Sequence, residues 1–298
     1  MEITRIPDAP FGAIVYGAEF SGRIGKADIE RIWAALDEYL VLAFRGHKDP
    51  TDEEMLAFAR NFGHVPRTGL TAGANPDHNE ILLISNIVQN EVKIGVGDAN
   101  WMDWHTDYSF RPRVSQIGVL AAVELPPSGG GETVFTDMYR TFENLPDDLK
   151  ERLLTYRARH ALRGGYENVI VEEHQGEVSI DLNEPLILPE GGTSTVHPVV
   201  ARNPRTGRHA LYVNPLNTKQ ILELEREPSD ALLKELFTRP GEPSLTYAHQ
   251  WEPGDIVLWD QLGLVHARKP FNPQERRMLR KVVTIFDDAA APWRHFAA

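Results

Sequence analysis

Twenty-three glycines and twenty-one prolines punctuate this chain from end to end, and that punctuation restricts it to short elements. The runs between them are rich in Val, Ile, Leu and Tyr, the composition of strands rather than of a helical array. Strands are expected at residues 81–84, 116–123, 132–136, 178–182, 210–213, 244–249, 255–259 and 280–286, with VLAFRG as a further buried strand after residue 40. Helices are expected at 26–40, where Ile29, Ile32, Trp33, Leu36 and Leu40 recur at helical spacing, and at 51–61, where Thr51 and Glu54 fit a capping box. Residues 139–157 and 229–237 complete the helical set, with Pro146 marking a break in the former. Strands alternate with turns more often than with helices of crossover length. The expected fold is therefore mainly β with flanking helices, a barrel or sandwich rather than a doubly wound parallel sheet.

Composition narrows the function. The chain has no cysteine, which excludes disulfides, thiolate metal ligands and cysteine nucleophiles. A net charge of -12 is spread along the sequence without the basic footprint that nucleic acid needs. The run RNPRTGRH, with Pro204 and Gly207, reads as a solvated hairpin turn. The N-terminus lacks a basic segment followed by an apolar run, and no stretch approaches eighteen apolar residues. These features predict a cytoplasmic protein with a small-molecule substrate, no nucleic-acid partner and no membrane span; a homo-oligomer is compatible with them. No repeat, low-complexity tract or interdomain linker divides the chain.

The chemistry concentrates in two segments. In WHTDYSF, His105 and Asp107 are separated by one residue, so an extended backbone would send both side chains to one face. In WEPGDIVLWDQLGLVHARKP, His266 follows an apolar strand and a turn-rich connection. Two imidazoles and one carboxylate are the facial triad that leaves positions open on Fe(II) for a bidentate co-substrate and dioxygen, although zinc accepts a similar set. A keto-acid co-substrate needs a cation for its distal carboxylate. Arg277, eleven residues beyond His266, offers a guanidinium that matches it bidentately. In an extended ERRMLRK, Arg277 and Lys281 share one face while Arg276 and Arg280 take the other.

Taken in order, VLAFRGHKDPTDEEMLAFARNFG, WHTDYSF, LPPSGGGETVFTDM, HPVVARNPRTGRHALYVN, WEPGDIVLWD, His266 and RMLRKVVTI give a collinear pattern across nearly the whole chain. It resembles the taurine and dichlorophenoxyacetate dioxygenase family of Fe(II)- and 2-oxoglutarate-dependent oxygenases. The resemblance implies a double-stranded β-helix, or jelly-roll (cupin-like), core in a single domain spanning residues 1–298. It also implies oxidation of a small metabolite, usually hydroxylation, with dioxygen consumed and succinate and carbon dioxide released. By the same resemblance, His105, Asp107 and His266 match the iron ligands, Arg277 the 2-oxoglutarate anchor, and Thr133 of GGGET a threonine assisting that contact. Trp259 is read either as a pocket wall or as a core aromatic.

Lys281 stands where the taurine-oxidising members carry a second arginine for the sulfonate, so taurine is not expected to bind here in the same mode. Lys281 is read either as a point charge for a carboxylate, phosphonate or sulfonate or as a side chain that reaches solvent. The preceding loop GVGDANWMDW supplies Trp101 and Asp103 as candidate substrate contacts, suited to an amine-bearing substrate. The same iron chemistry can end in desaturation or rearrangement. A zinc hydrolase or a non-catalytic jelly-roll binding module are the readings from other classes.

Overall fold

The structure, a computed structural model, describes residues 1–20, 24–68, 73–162 and 194–296. The strand expected at 178–182 lies outside the described residues. Two sheets carry the architecture. The larger has seven strands in the order Glu2–Arg5, Ala13–Tyr16, Val41–Arg45, Ile256–Asp260, Ser115–Glu124, Met278–Ile285 and Leu82–Ser85. Only the pairing of Ala13–Tyr16 with Val41–Arg45 is parallel in this sheet. The smaller has four antiparallel strands in the order Thr246–His249, Thr133–Asp137, Leu264–Arg268 and Met102–His105.

The central strands of the large sheet are buried on both faces, and strand periodicity divides their side chains between two cores. Val41, Ala43, Leu120, Val257, Trp259 and Leu279 turn toward the small sheet, where they join Trp104, Val134, Phe135, Leu264, Val265 and Ala267. Their neighbours Leu42, Phe44, Ile117, Val119, Ile256, Leu258 and Val282 turn the other way. There they meet Ile32 and Leu36 of helix Lys26–Tyr39 and Met55, Leu56 and Phe58 of helix Asp52–Ala59. The second helix begins with the expected capping box, Thr51 accepting from the Glu54 amide at 3.2 Å and Glu54 from the Thr51 amide at 2.8 Å.

One expected helix is corrected. Residues 139–157 form two short helices, Met138–Glu143 and Asp147–Leu153, and the chain then enters strand Arg157–Ala161. Pro146 forces the break, as expected, and stands at the N-cap of the second helix. The overrun at the C-terminal end arises because Arg157–Ala161 pairs with Ser194–Pro198 and Thr218–Ile221, partners too distant in sequence for local periodicity to reveal. The RNPRTGRH hairpin turn is present between Val200–Arg202 and His209–Leu211. Its charges are taken up by Asp37, 2.9 Å from Arg205, and Glu143, 2.8 Å from Arg208. Among the described residues, no helix is long and apolar enough to cross a membrane.

Between the paired strands of the large sheet, Gly118 faces the Trp259 indole. A Cβ at Gly118 would lie 2.2 Å from the indole ring. We expect Gly118→Ala to destabilise the fold by about 1–3 kcal/mol through overpacking, read as a lowered midpoint in thermal unfolding by circular dichroism. An unchanged midpoint would show that the indole relocates at no cost.

Candidate active site

The small sheet brings the two histidines together. His105 ends the edge strand Met102–His105, His266 lies in the centre of Leu264–Arg268, and the antiparallel register sets them directly opposite. Their ring centroids are 4.1 Å apart. Asp107 reaches the same place by another route than expected. The strand ends at His105, and a turn in which Tyr108 takes a positive φ of 59° carries the carboxylate back toward the imidazoles. Asp107 Oδ1 lies 3.8 Å from His105 Nε2 and Oδ2 lies 3.7 Å from His266 Nε2. One donor atom from each of the three side chains falls within 4.8 Å of the others.

Their environment prepares them as donors. His105 Nδ1 hydrogen-bonds the Asp103 carbonyl at 2.8 Å, which puts the proton on Nδ1 and leaves the Nε2 lone pair facing Asp107. Burial lowers the pKa of both imidazoles, so both are neutral near pH 7. His266 is walled by Phe135 and met edge-on by Trp259, 5.2 Å away between centroids, and its Nδ1 is enclosed without a partner. Trp259 is thus both a core aromatic and a wall of the site. Burial alone would raise the pKa of Asp107, but the Lys281 ammonium, by its charge and its hydrogen bond, outweighs it and holds the carboxyl well below its usual range. Two neutral imidazoles and an ionised carboxylate converging on one point fit a divalent first-row metal.

Gln261 is a member of this site that the sequence did not disclose. Its fully buried amide donates to Asp107 Oδ2 at 2.6 Å and accepts from the Asp107 backbone N–H at 3.3 Å. The Ser115 hydroxyl donates to the Asp107 carbonyl. The signal available in advance was a lone amide in WDQLGLVH, where burial obliges a polar group to find partners.

Strand parity places the cations. Arg277 and Lys281 share the face of Leu279 toward the small sheet, while Arg280 turns to the helix side and pairs with Asp52 at 2.6 Å. Arg276 pairs with Glu124 at 2.8 Å. The Lys281 ammonium is an ion-pair partner of Asp107, a contact the sequence reading did not foresee. Arg277 is 2% exposed. It donates to the Gly131 carbonyl at 2.8 Å, its backbone N–H is held by Asn86 at 2.9 Å, and its Nε is enclosed without a partner. Gly131 is required there: φ is +70°, and a Cβ would sit 2.7 Å from Arg277 Nε.

Burial, and then the nearby Arg268 guanidinium, disfavours the charge on Arg277, a bias that an incoming carboxylate would reverse. Thr133, buried at the start of its strand, lies opposite Arg268 in the ladder and two residues from Gly131. At the rim, Trp101 is 47% exposed, and Asp103 turns its carboxylate to the Trp104 N–H at 2.8 Å. Asp98 of the same loop is paired with Arg268 at 3.0 Å, which removes one negative charge from the amine-binding edge expected there.

Residues 2–282 match the model of the family described as "Taurine catabolism dioxygenase TauD, TfdA family". The chain belongs to this family. It is a non-haem Fe(II)- and 2-oxoglutarate-dependent oxygenase, and the hydrolase and binding-module readings fall away. The oxygenase is 68% identical over 296 residues to a pentalenolactone F synthase of Streptomyces avermitilis, covering 98% of this chain and 97% of that protein. It is 59% identical over 298 residues to the pentalenolactone F synthase of Streptomyces arenae, with both chains covered completely. An alpha-ketoglutarate-dependent 2,4-dichlorophenoxyacetate dioxygenase of Cupriavidus pinatubonensis is 29% identical over 97% of this chain and 99% of its own. A crystal structure of a taurine dioxygenase from Burkholderia xenovorans superposes with a TM-score of 0.76 at 23% identity, covering 96% of this chain and 89% of that one. The two-sheet core with flanking helices is the double-stranded β-helix of the family.

Because Gln261 grips Asp107 at both its backbone and its carboxylate, Gln261→Leu should leave the fold intact. It should weaken metal retention by the oxygenase roughly 10- to 100-fold, measured by competition for Fe(II) or Mn(II) with a chromogenic chelator. Unchanged affinity would mean that Lys281 and the turn suffice to orient the carboxylate.

Proposed function

We propose that this oxygenase acts as a single domain over residues 1–298 and carries out the reaction for which its full-length relatives are named, the formation of pentalenolactone F. The observation that carries this reading is the 68% and 59% identity across essentially entire chains, against 29% for the dichlorophenoxyacetate enzyme. In this reading His105, Asp107 and His266 hold Fe(II), and Arg277, with Thr133, holds the distal carboxylate of 2-oxoglutarate. Bound iron, 2-oxoglutarate and dioxygen supply the oxidising power, with succinate and carbon dioxide as coproducts.

The chain's own residues do the positioning. Asp103 fixes the tautomer of His105, while Gln261 and Lys281 fix the two oxygens of Asp107. Gly131 gives Arg277 the room and the carbonyl that orient its guanidinium. Trp259 and Phe135 close the wall behind His266 and keep water from it. Trp101 and Asp103 form the rim that a substrate passes, and Lys281 sets positive charge on the substrate side of Asp107.

Two experiments test the reading at different depths. Expressed in a Streptomyces avermitilis strain lacking its own synthase, the chain should restore pentalenolactone F, detected by mass spectrometry; no product from a folded, iron-loaded protein would reject the substrate. In purified protein, anaerobic Fe(II) and 2-oxoglutarate should give a visible charge-transfer band. Asp107→Ala should lose most of its iron. Arg277→Ala should retain iron but need roughly 10- to 100-fold more 2-oxoglutarate, the loss of a charge-assisted bidentate contact. Equal iron loss in the two variants would contradict the separation of ligand from anchor.

A further inference from the structure

The turn that carries the chain from the large sheet to the small one is built on a buried carboxylate that the site described above does not use. Asp260 ends its strand and is 8% exposed. Its Oδ1 accepts from the backbone N–H groups of Leu262 at 2.9 Å and Gly263 at 3.3 Å, which closes the turn. Its Oδ2 accepts from the Tyr139 hydroxyl at 2.6 Å and from the Asn203 amide at 3.4 Å, and the same amide donates to the Tyr139 oxygen at 2.7 Å. These donors are all neutral, and they need an acceptor on both sides. A carboxylate has two acceptor oxygens, whereas the isosteric amide of asparagine has one.

What this turn carries belongs to the metal site. Gln261, next in sequence, is the residue whose amide grips Asp107, and His266 follows Gly263 by three positions. The turn is pressed onto Tyr139 as well as bonded to it. A Cβ at Gly263 would lie 1.9 Å from the Tyr139 ring, and the Gly263 carbonyl accepts from the Met138 N–H at 2.9 Å. Burial and the Asp260 charge push the Tyr139 pKa up, so its hydroxyl keeps its proton and remains a donor. Asn203 is fixed by its own hairpin, its Oδ1 accepting from the N–H groups of Arg205 at 2.8 Å and Thr206 at 3.2 Å. A continuous path of contacts thus runs from the hairpin through Tyr139 and Asp260 to Gln261 and Asp107.

We propose that Asp260, held by Tyr139 and Asn203, is a positioning residue for the metal site, setting the turn from which Gln261 orients the Asp107 carboxylate. Oδ1 fixes the shape of the turn and Oδ2 fixes where it stands, so both ends of the Gln261 amide are aimed at Asp107. The RNPRTGRH hairpin gains a second role, since its Asn203 braces the Tyr139 hydroxyl. This inference rests on the reading of His105, Asp107 and His266 as iron ligands and adds the groups that keep one of them aimed.

The test is a double-mutant cycle between Gln261→Leu and Tyr139→Phe, which keeps the buried ring and removes only the hydroxyl. The Mn(II) affinity of the full chain is measured for all four proteins by competition with a chromogenic chelator. Tyr139→Phe should bind Mn(II) roughly 3- to 10-fold more weakly than wild type, the loss of one buried hydrogen bond. Asn203, still beside Oδ2, keeps that loss below the one caused by Gln261→Leu. In the Gln261→Leu background the same substitution should cost less than about twofold, because the path to Asp107 is already cut. A merely structural Tyr139 would lower the affinity by the same factor in both backgrounds, and that result would overturn the proposal. So would an unchanged affinity in Tyr139→Phe. A wild type that binds no Mn(II) would reject the metal-site reading instead.

Discussion

The arrangement depends on one constraint, that the central strands of the large sheet are buried on both faces. Alternation along each strand then assigns every side chain either to the helix-side core or to the space between the sheets. Leu279 points inward, so Arg277 and Lys281 must do so as well, while Arg280 must meet the helix carrying Asp52. Two cations enter the site because the hydrophobic partition permits no other register. Trp259 obeys the same rule, and its indole is accommodated because Gly118 opposite has no side chain.

This explains which features were legible in the sequence. The triad was readable because two of its members are close in sequence and the third follows a recognisable apolar strand. The parity of Arg277 and Lys281 was readable because a two-residue period needs only local information. The path to Asp107 was not, since a turn with Tyr108 at positive φ produced the convergence attributed to an extended strand. Nor was the end of the helix near residue 153, because the strand that follows it is defined by partners at 194–198 and 218–221. Gln261 escaped for a related reason. It belongs to no spacing motif, and its meaning lies in what it touches.

The electrostatics of the site run against those of the whole molecule. The chain carries a net charge of -12, yet Arg268, Arg277 and most of Lys281 are withdrawn into its interior, with the Lys281 ammonium against the carboxylate of the triad. Arg268 and Lys281 have carboxylate partners, while Arg277 leans on a backbone carbonyl. A low-dielectric interior strengthens such a field. It is suited to reactants that bring negative charge with them, as 2-oxoglutarate does.

The order of strands has a consequence for how the molecule is made. In both sheets, strands from late in the chain occupy interior places: Ile256–Asp260 separates Val41–Arg45 from Ser115–Glu124, and Leu264–Arg268 separates Thr133–Asp137 from Met102–His105. As the polypeptide leaves the ribosome, its earlier strands therefore stand with apolar edges unpaired until the last fifth of the chain arrives. Until then the nascent protein offers ready templates for wrong pairing, which makes it dependent on whatever shields exposed edges during synthesis. His266 travels with one of those late strands, so the sheet is closed and the triad completed by the same insertion.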